Sequence, residues 1–507
     1  MSWKRGVLKE MKLNKIFILG IILVSFVFVQ NATAQLWDPV AGDPLTNITD
    51  PLWVRADQPQ SLTNQATAGV FTTDVDNFMD VKNFQEVDME RYFIFLQAGP
   101  NLLNAASEEF DGLSFGLARR FGRSYLGFFY SGSIVERDAS TRKVPANANS
   151  AMREDSNAYW RNTLSILFGN DSFGGLKLDL LYLRDNDRSR VRNNSNPGAL
   201  PGDTTGNVNQ EYRITEKAGN IGLGLTWGNA FEVGNGVLKP EIGFSYLRGG
   251  TTEMRQVLSA TNNITRTDRD NSYFAFFLGA EYEFERNDNR QSTLSLVYRQ
   301  ARTLYPNIAT QTLWVSDAGT IQTQNEHVIG KAARLHTIEV DFDTIYDVTE
   351  RLQAGYRLGL IFGYFSAELA NVFMQLDNTG TIIPSPGVGW YTDEFFSHER
   401  AQYTITPTVG TGFIYQLVQD RFNLNGGFAV QLPTYTRTVE RDTRPPVTSY
   451  NVDDRTMTWS PMMTSATIGA TLFITPGFEI DMLAGSIVGG AADVDVSQVT
   501  LMGTIRR

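Results

Sequence analysis

From residue 274 to residue 285 the chain alternates: Phe274, Phe276, Leu278, Ala280, Tyr282 and Phe284 share one parity, while the other includes Gly279, Glu281, Glu283 and Glu285. A period of two places successive side chains on opposite faces of an extended strand, so one face is wholly apolar and the other largely acidic. The pattern returns at Leu352 to Tyr364, where Leu352, Ala354, Tyr356, Leu358, Leu360, Phe362 and Tyr364 oppose Gln353, Gly355, Arg357, Gly359 and Gly363. It returns again at 401–417, with Tyr403, Ile405, Val409, Phe413, Tyr415 and Leu417 on the apolar side, and in shorter form at 176–182, 221–227, 238–246, 294–298, 338–342, 422–432 and 466–472. Strands of soluble sandwiches are usually about 5–6 residues long, and a propeller repeats a blade motif that this chain lacks. Longer runs with a nearly pure apolar face are what a strand tilted across a bilayer requires. The expected fold is therefore all-β, a transmembrane antiparallel β-barrel.

The connections alternate in length. Short joints fall at 122–123, 170–175, 229–236, 286–291, 347–351, 419–421 and 475–477, and long polar stretches at 137–157, 187–212, 250–270, 304–332, 368–399 and 438–457. Seven hairpins give about 14 strands, or 16 if Tyr92–Ala98 leaves first and Val499–Ile505 returns last. Outer-membrane barrels join their strands by short turns on the periplasmic side and by longer loops outside.

Residues 11–34 carry two Lys, an apolar run from Ile16 to Val29, and Ala32-Thr33-Ala34 before Gln35. This is the pattern of a secretory signal peptide cleaved between Ala34 and Gln35, and its apolar run falls short of the roughly 20 residues of a spanning helix. Losing residues 1–34 removes five basic residues and one acidic residue, which moves the net charge from −11 to −15. That acidity argues against a nucleic-acid partner. Zero Cys excludes disulfides, thiol nucleophiles and cysteine zinc sites, and three His give no metal-ligand spacing, so no cofactor is expected. The chain divides into a signal peptide (1–34), a Pro- and Asp-rich arm or plug without sustained alternation (35–89) and the barrel (90–507).

With its signal peptide, its amphipathic strands over about four fifths of the chain and its alternating turns and loops, the sequence resembles the bacterial outer-membrane porin-like barrels as a superfamily. It departs from the usual aromatic ending of such barrels, closing on Gly503-Thr504-Ile505-Arg506-Arg507. The resemblance implies location in the cell outer membrane, contact with outer-membrane lipid and surface glycolipid, passage of small solutes and an oligomer in some members. A plug at 35–89 would instead be similar to transporters of hydrophobic compounds of the fatty-acid transporter type.

Parity places Glu281, Glu283, Glu285, Arg299, Glu339, Asp341, Asp343 and Arg357 on the lumen face, with Lys177, Asp179, Lys239 and Glu241. Such an acidic sector would favour cations, though a polar interior is general in barrels. If Asp343 stands opposite Gln353, Glu339 falls opposite Arg357 as an ion pair. Trp160, Trp227, Tyr246, Tyr282, Tyr298, Tyr364, Tyr403 and Trp459 are candidates for interfacial girdles. The main reading is a passive or weakly selective channel. The alternatives are the plugged transporter, a surface adhesin or structural barrel, and a lipid-facing enzyme, which would need a Ser beside His336.

Overall fold

The computed structural model describes residues 61–98, 109–143, 151–170, 172–193, 211–258, 263–270, 272–287, 290–303, 307–315, 321–376, 396–432, 435–443, 451–453, 458–459, 463–488 and 499–506. The signal-cleavage pair Ala34 and Gln35 lies outside them, as do the side chains of Glu285, Trp160 and Trp459. Sixteen antiparallel strands close into one barrel, the higher of the two expected counts. They are β1 (Tyr92–Ala98), β2 (Glu109–Phe121), β3 (Ser124–Lys143), β4 (Ala151–Asn170), β5 (Gly174–Asn193), β6 (Glu211–Gly228), β7 (Gly236–Leu258) and β8 (Tyr273–Asn287) in the first half. The second half holds β9 (Arg290–Thr303), β10 (Ile321–Thr349), β11 (Leu352–Leu376), β12 (Phe396–Val418), β13 (Phe422–Gln431), β14 (Met463–Thr475), β15 (Phe478–Val488) and β16 (Val499–Arg506). Shorter pieces at Asn263–Asp270, Asn307–Val315 and Tyr435–Thr443 carry β8, β9 and β13 farther from the short turns. The barrel closes where β1 pairs with both β2 and β16, Phe95 standing opposite Gly116 on one side and Thr504 on the other. That pairing removes the open edges the first and last strands would otherwise present.

Two expectations change. Much of the long polar stretches is strand: β10 runs for 29 residues and β11 for 25. A backbone ladder continues between two neighbours whatever their side chains, so polar residues in water extend a wall without any apolar face to announce it. The β10–β11 register also lies four residues from the expected one. Asp347 pairs with Gln353, and Asp343 rather than Glu339 stands opposite Arg357. The turn is tighter than the 347–351 joint implied, because β10 continues through an irregularity at Asp347/Thr349 before reversing at Glu350 and Arg351. An even shift leaves every side chain on its expected face.

The outer face near the short turns is apolar. Leu126, Phe128, Ile166, Phe168, Leu223, Leu225, Leu294, Leu296, Leu358 and Phe362 are among its exposed side chains. Aromatic rings border this band. On the turn side Phe284 meets Phe342 at 6.2 Å and Phe342 meets Tyr356 at 6.2 Å. On the loop side His336 meets Tyr364 at 6.0 Å and Tyr364 meets Tyr403 at 4.9 Å. From Tyr356 to Tyr364 a strand rises roughly 26 Å at about 3.3 Å per residue, or about 20 Å along the axis at a tilt near 40°.

Candidate functional site

The interior of the barrel near the short turns is occupied by residues 61–90. Two short helices, α1 (Leu62–Ala66) and α2 (Asp74–Met79), and a 3-10 turn at Phe84–Glu86 lie there. Helices of this length do not hold in water by themselves, so packing must fix them. Ser61 caps α1 by accepting a hydrogen bond from the Asn64 amide at 3.0 Å. Asp76 joins the starts of the two helices: its carboxylate accepts from the Ser61 amide at 2.8 Å, the Ser61 hydroxyl at 2.6 Å and the Thr73 amide at 2.7 Å. The apolar side chains Leu62, Val75, Phe78, Met79 and Phe84 are buried.

They are buried against one side of the wall. Phe93 and Phe95 of β1, Ala118 of β2, Tyr125 and Phe129 of β3, Leu167 of β4 and Met502 of β16 join them in a single cluster. Phe78 sits at its centre, with edge contacts to Phe84 at 5.6 Å and Phe95 at 5.5 Å. Alternation alone assigned these inward apolar residues no role. The signal that could have found them is the phase shift in β1, where Phe93 and Phe95 put large rings on the lumen face while Ile94 and Leu96 face out.

The opposite side of the wall is ionic. Lys82 reaches Glu281 at 3.1 Å and Glu241 at 3.9 Å, and Lys239 binds Glu86 at 2.8 Å and also Glu283. Farther towards the loops, Arg357 binds Asp341 at 2.9 Å and lies 3.6 Å from Asp343, and Arg299 pairs with Glu339. Apart from Glu285, the expected cluster is brought together on β8 to β11, with changed partners: Glu339 takes Arg299, and Arg357 takes the two Asp. Carboxylates on this wall still outnumber the cations.

Between these sides the segment is fastened by hydrogen bonds and one further ionic bridge. Asn425 donates to the Thr63 hydroxyl at 3.2 Å, and Thr467 donates to the Ala66 carbonyl at 2.8 Å. Lys177 donates to the Met79 carbonyl at 3.3 Å and Gln85 to the Asn170 carbonyl at 3.2 Å. Arg506 of β16 bridges Asp74 at 2.7 Å and Glu479 at 2.5 Å. The wall makes room with glycine. A Cβ on Gly175 would run into the Val81 carbonyl oxygen, and one on Gly427 would lie 2.5 Å from the Thr67 carbonyl carbon.

On the outer face, His336 shares a hydrogen bond of 2.8 Å with the Tyr298 hydroxyl and lies between the rings of Tyr298 and Tyr364. That environment makes it a member of the aromatic border. Trp227 donates its ring N–H to the Phe173 carbonyl at 3.0 Å on the turn side. Among the described residues no group of three or more His, Cys, Asp or Glu could hold a metal ion.

No family model matches the chain, and no curated protein matches it. Among solved structures it is similar to a Pseudomonas aeruginosa FadL homologue, at 13% identity over 88% of this chain and 98% of that one, with a TM-score of 0.36. It is similar to the P. putida toluene transporter TodX at 9% identity over 89% and 99%, TM-score 0.36, and to the Ralstonia pickettii toluene transporter TbuX at 10% identity over 89% and 98%, TM-score 0.31. At TM-scores below 0.5 these likenesses carry no argument, and what the site can do rests on its own residues. The fold itself is a closed antiparallel barrel of 16 strands.

Proposed function

We propose that this protein is an outer-membrane barrel closed by its own N-terminal segment, and that it passes hydrophobic compounds rather than standing open to small polar solutes. The observation that carries this is the aromatic cluster around Phe78 inside the barrel. A water-filled pore gains nothing from rings such as Phe93, Phe95 and Phe129 on its inner wall, whereas an apolar solute gains about 25 cal/mol for each Å² of surface it buries there. The segment over residues 61–90 covers that wall and would have to shift for a solute to reach the periplasm. Ions meet the same obstruction, and the ionic wall has its cations and carboxylates largely committed to one another. This weighs against the open channel of the sequence reading.

Membrane insertion belongs to the same proposal. The outward apolar band bordered by aromatic rings approaches the band of about 25 Å that such barrels present to lipid. No chemistry is assigned to the chain: His336 has a Tyr hydroxyl as its hydrogen-bond partner, and the adhesin reading has no feature of the described barrel in its favour. The test is uptake by cells that make the protein against cells that do not, using a labelled apolar compound and a labelled sugar of similar size. Faster entry of the apolar compound is expected. Faster entry of the sugar with no effect on the apolar compound would return the reading to an open porin.

A further inference from the structure

Outside the barrel, at the loop side of the apolar band, the register lines up Phe244, Phe276, Gln300, His336, Tyr364 and Tyr403 across β7 to β12. One pair of positions nearer the loops, Arg302 of β9 stands directly opposite Arg334 of β10, flanked by Phe274 and Ser366. Both arginines are exposed, and exposed Arg248 lies two residues beyond Tyr246, the cross-strand partner of Phe274. Like charges directly opposite on neighbouring strands destabilise a sheet. Among the described side chains neither arginine has a carboxylate or hydrogen-bond partner, and the residues paired with them on the flanking strands, Phe274 and Ser366, carry no charge. The inner wall is the contrast, since Lys82, Lys239, Arg299, Arg357 and Arg506 each meet an acidic partner there.

An uncompensated pair of guanidinium groups facing away from the protein calls for an anion from outside. The planar guanidinium suits phosphate, which it can grip through two parallel N–H donors. Its depth narrows the source. The arginines stand two residues, about 7 Å of strand, beyond the aromatic row, where phosphates lie when acyl chains cover the apolar band. A free phosphate ion would leave the rings beneath unused.

We propose that Arg302 and Arg334, assisted by Arg248, hold the phosphate groups of an anionic glycolipid of the outer leaflet whose acyl chains lie along the aromatic row beneath. This rests on the membrane reading above. The test uses the full chain in neutral phosphatidylcholine nanodiscs, titrated with a labelled diphosphorylated disaccharide glycolipid, with the same glycolipid after dephosphorylation, and with inorganic phosphate as competitor. Tighter binding of the phosphorylated form is expected, with little competition from inorganic phosphate. R302Q/R334Q should weaken binding about tenfold or more through lost charge-assisted hydrogen bonds. R351Q, at the opposite rim, should leave it unchanged, and both variants should keep the heat-modifiable gel mobility of a folded barrel. Equal binding of the two glycolipid forms, or an unaffected R302Q/R334Q, overturns the assignment while leaving the membrane reading intact. Displacement by inorganic phosphate overturns the lipid as the source. Failure to enter nanodiscs at all removes both.

Discussion

Asp76 carries more of the segment's local order than any neighbouring side chain, because one carboxylate serves donors at the starts of two helices. Burial pushes its carboxyl above the ordinary 3.8, and the Ser61 and Thr73 donors only partly oppose this. Burial likewise raises Asp74, with Arg506 pulling it the other way. A carboxyl raised by folding holds its proton more tightly in the seated segment than in a released one. Its stabilising effect is therefore complete below 3.8 and is lost as pH rises through the folded value. Protection of the amides in residues 61–80, relative to their intrinsic exchange rate at each pH, should fall as pH climbs from about 4, and D76N should flatten that dependence. A steric counterpart comes from Gly427, whose Cβ position already lies against Thr67. G427V should expose the N-terminal segment to added protease and leave the barrel protected; an unchanged cleavage pattern would show that the wall and segment part more easily than their contact implies.

At the scale of elements, the N-terminal segment is held by three kinds of contact at different places around the wall. They are the aromatic cluster on β1 to β4 and β16, the ion pairs on β7, β8 and β16, and the uncharged hydrogen bonds on β13 and β14. The aromatic cluster should dominate, because Phe78 is fully buried and truncating such a ring costs about 3–5 kcal/mol. F78A should thus increase opening of the segment by two orders of magnitude or more while barrel melting stays near that of the unaltered protein. Exchange protection of residues 61–90, compared with that of β10 and β11, measures the difference. K82A removes the cation from a largely buried pair and should have a smaller effect than F78A, about 1–3 kcal/mol.

For the whole molecule, the closed sheet and its occupied interior make separate contributions. Sixteen paired strands give a wall that stands without the segment, so deletion of residues 61–90 should leave a folded barrel and raise single-channel conductance in a planar bilayer from near zero to a steady open level. Such an opened barrel should prefer cations weakly, as carboxylates outnumber cations on the β8 to β11 wall, and E339Q/D341N should abolish that preference in the reversal potential. A strongly anion-selective deletion variant would mean that the wall's net charge is set by residues elsewhere in the lumen.

Much of the barrel was legible in the chain by itself. Alternation in 274–285, 352–364 and 401–417 determined which side chains face outward and which inward, because a period of two depends only on extended geometry and survives even a four-residue register shift. Strand number was legible to within one pair, since each short turn marks a reversal whatever surrounds it. The ion partners were not: Glu339 meets Arg299 rather than Arg357, because register follows from the exact turn and its irregularity. Nor were the polar extensions of β10 and β11, where backbone pairing replaces hydrophobic patterning as the cause of strand. The content of the lumen was decided only by tertiary structure. Residues 61–90 have no periodicity of their own, and their place depends on Phe78 meeting Phe95 and on Gly175 and Gly427 giving way to the backbone of Val81 and Thr67, contacts between residues that closure of the barrel alone brings together.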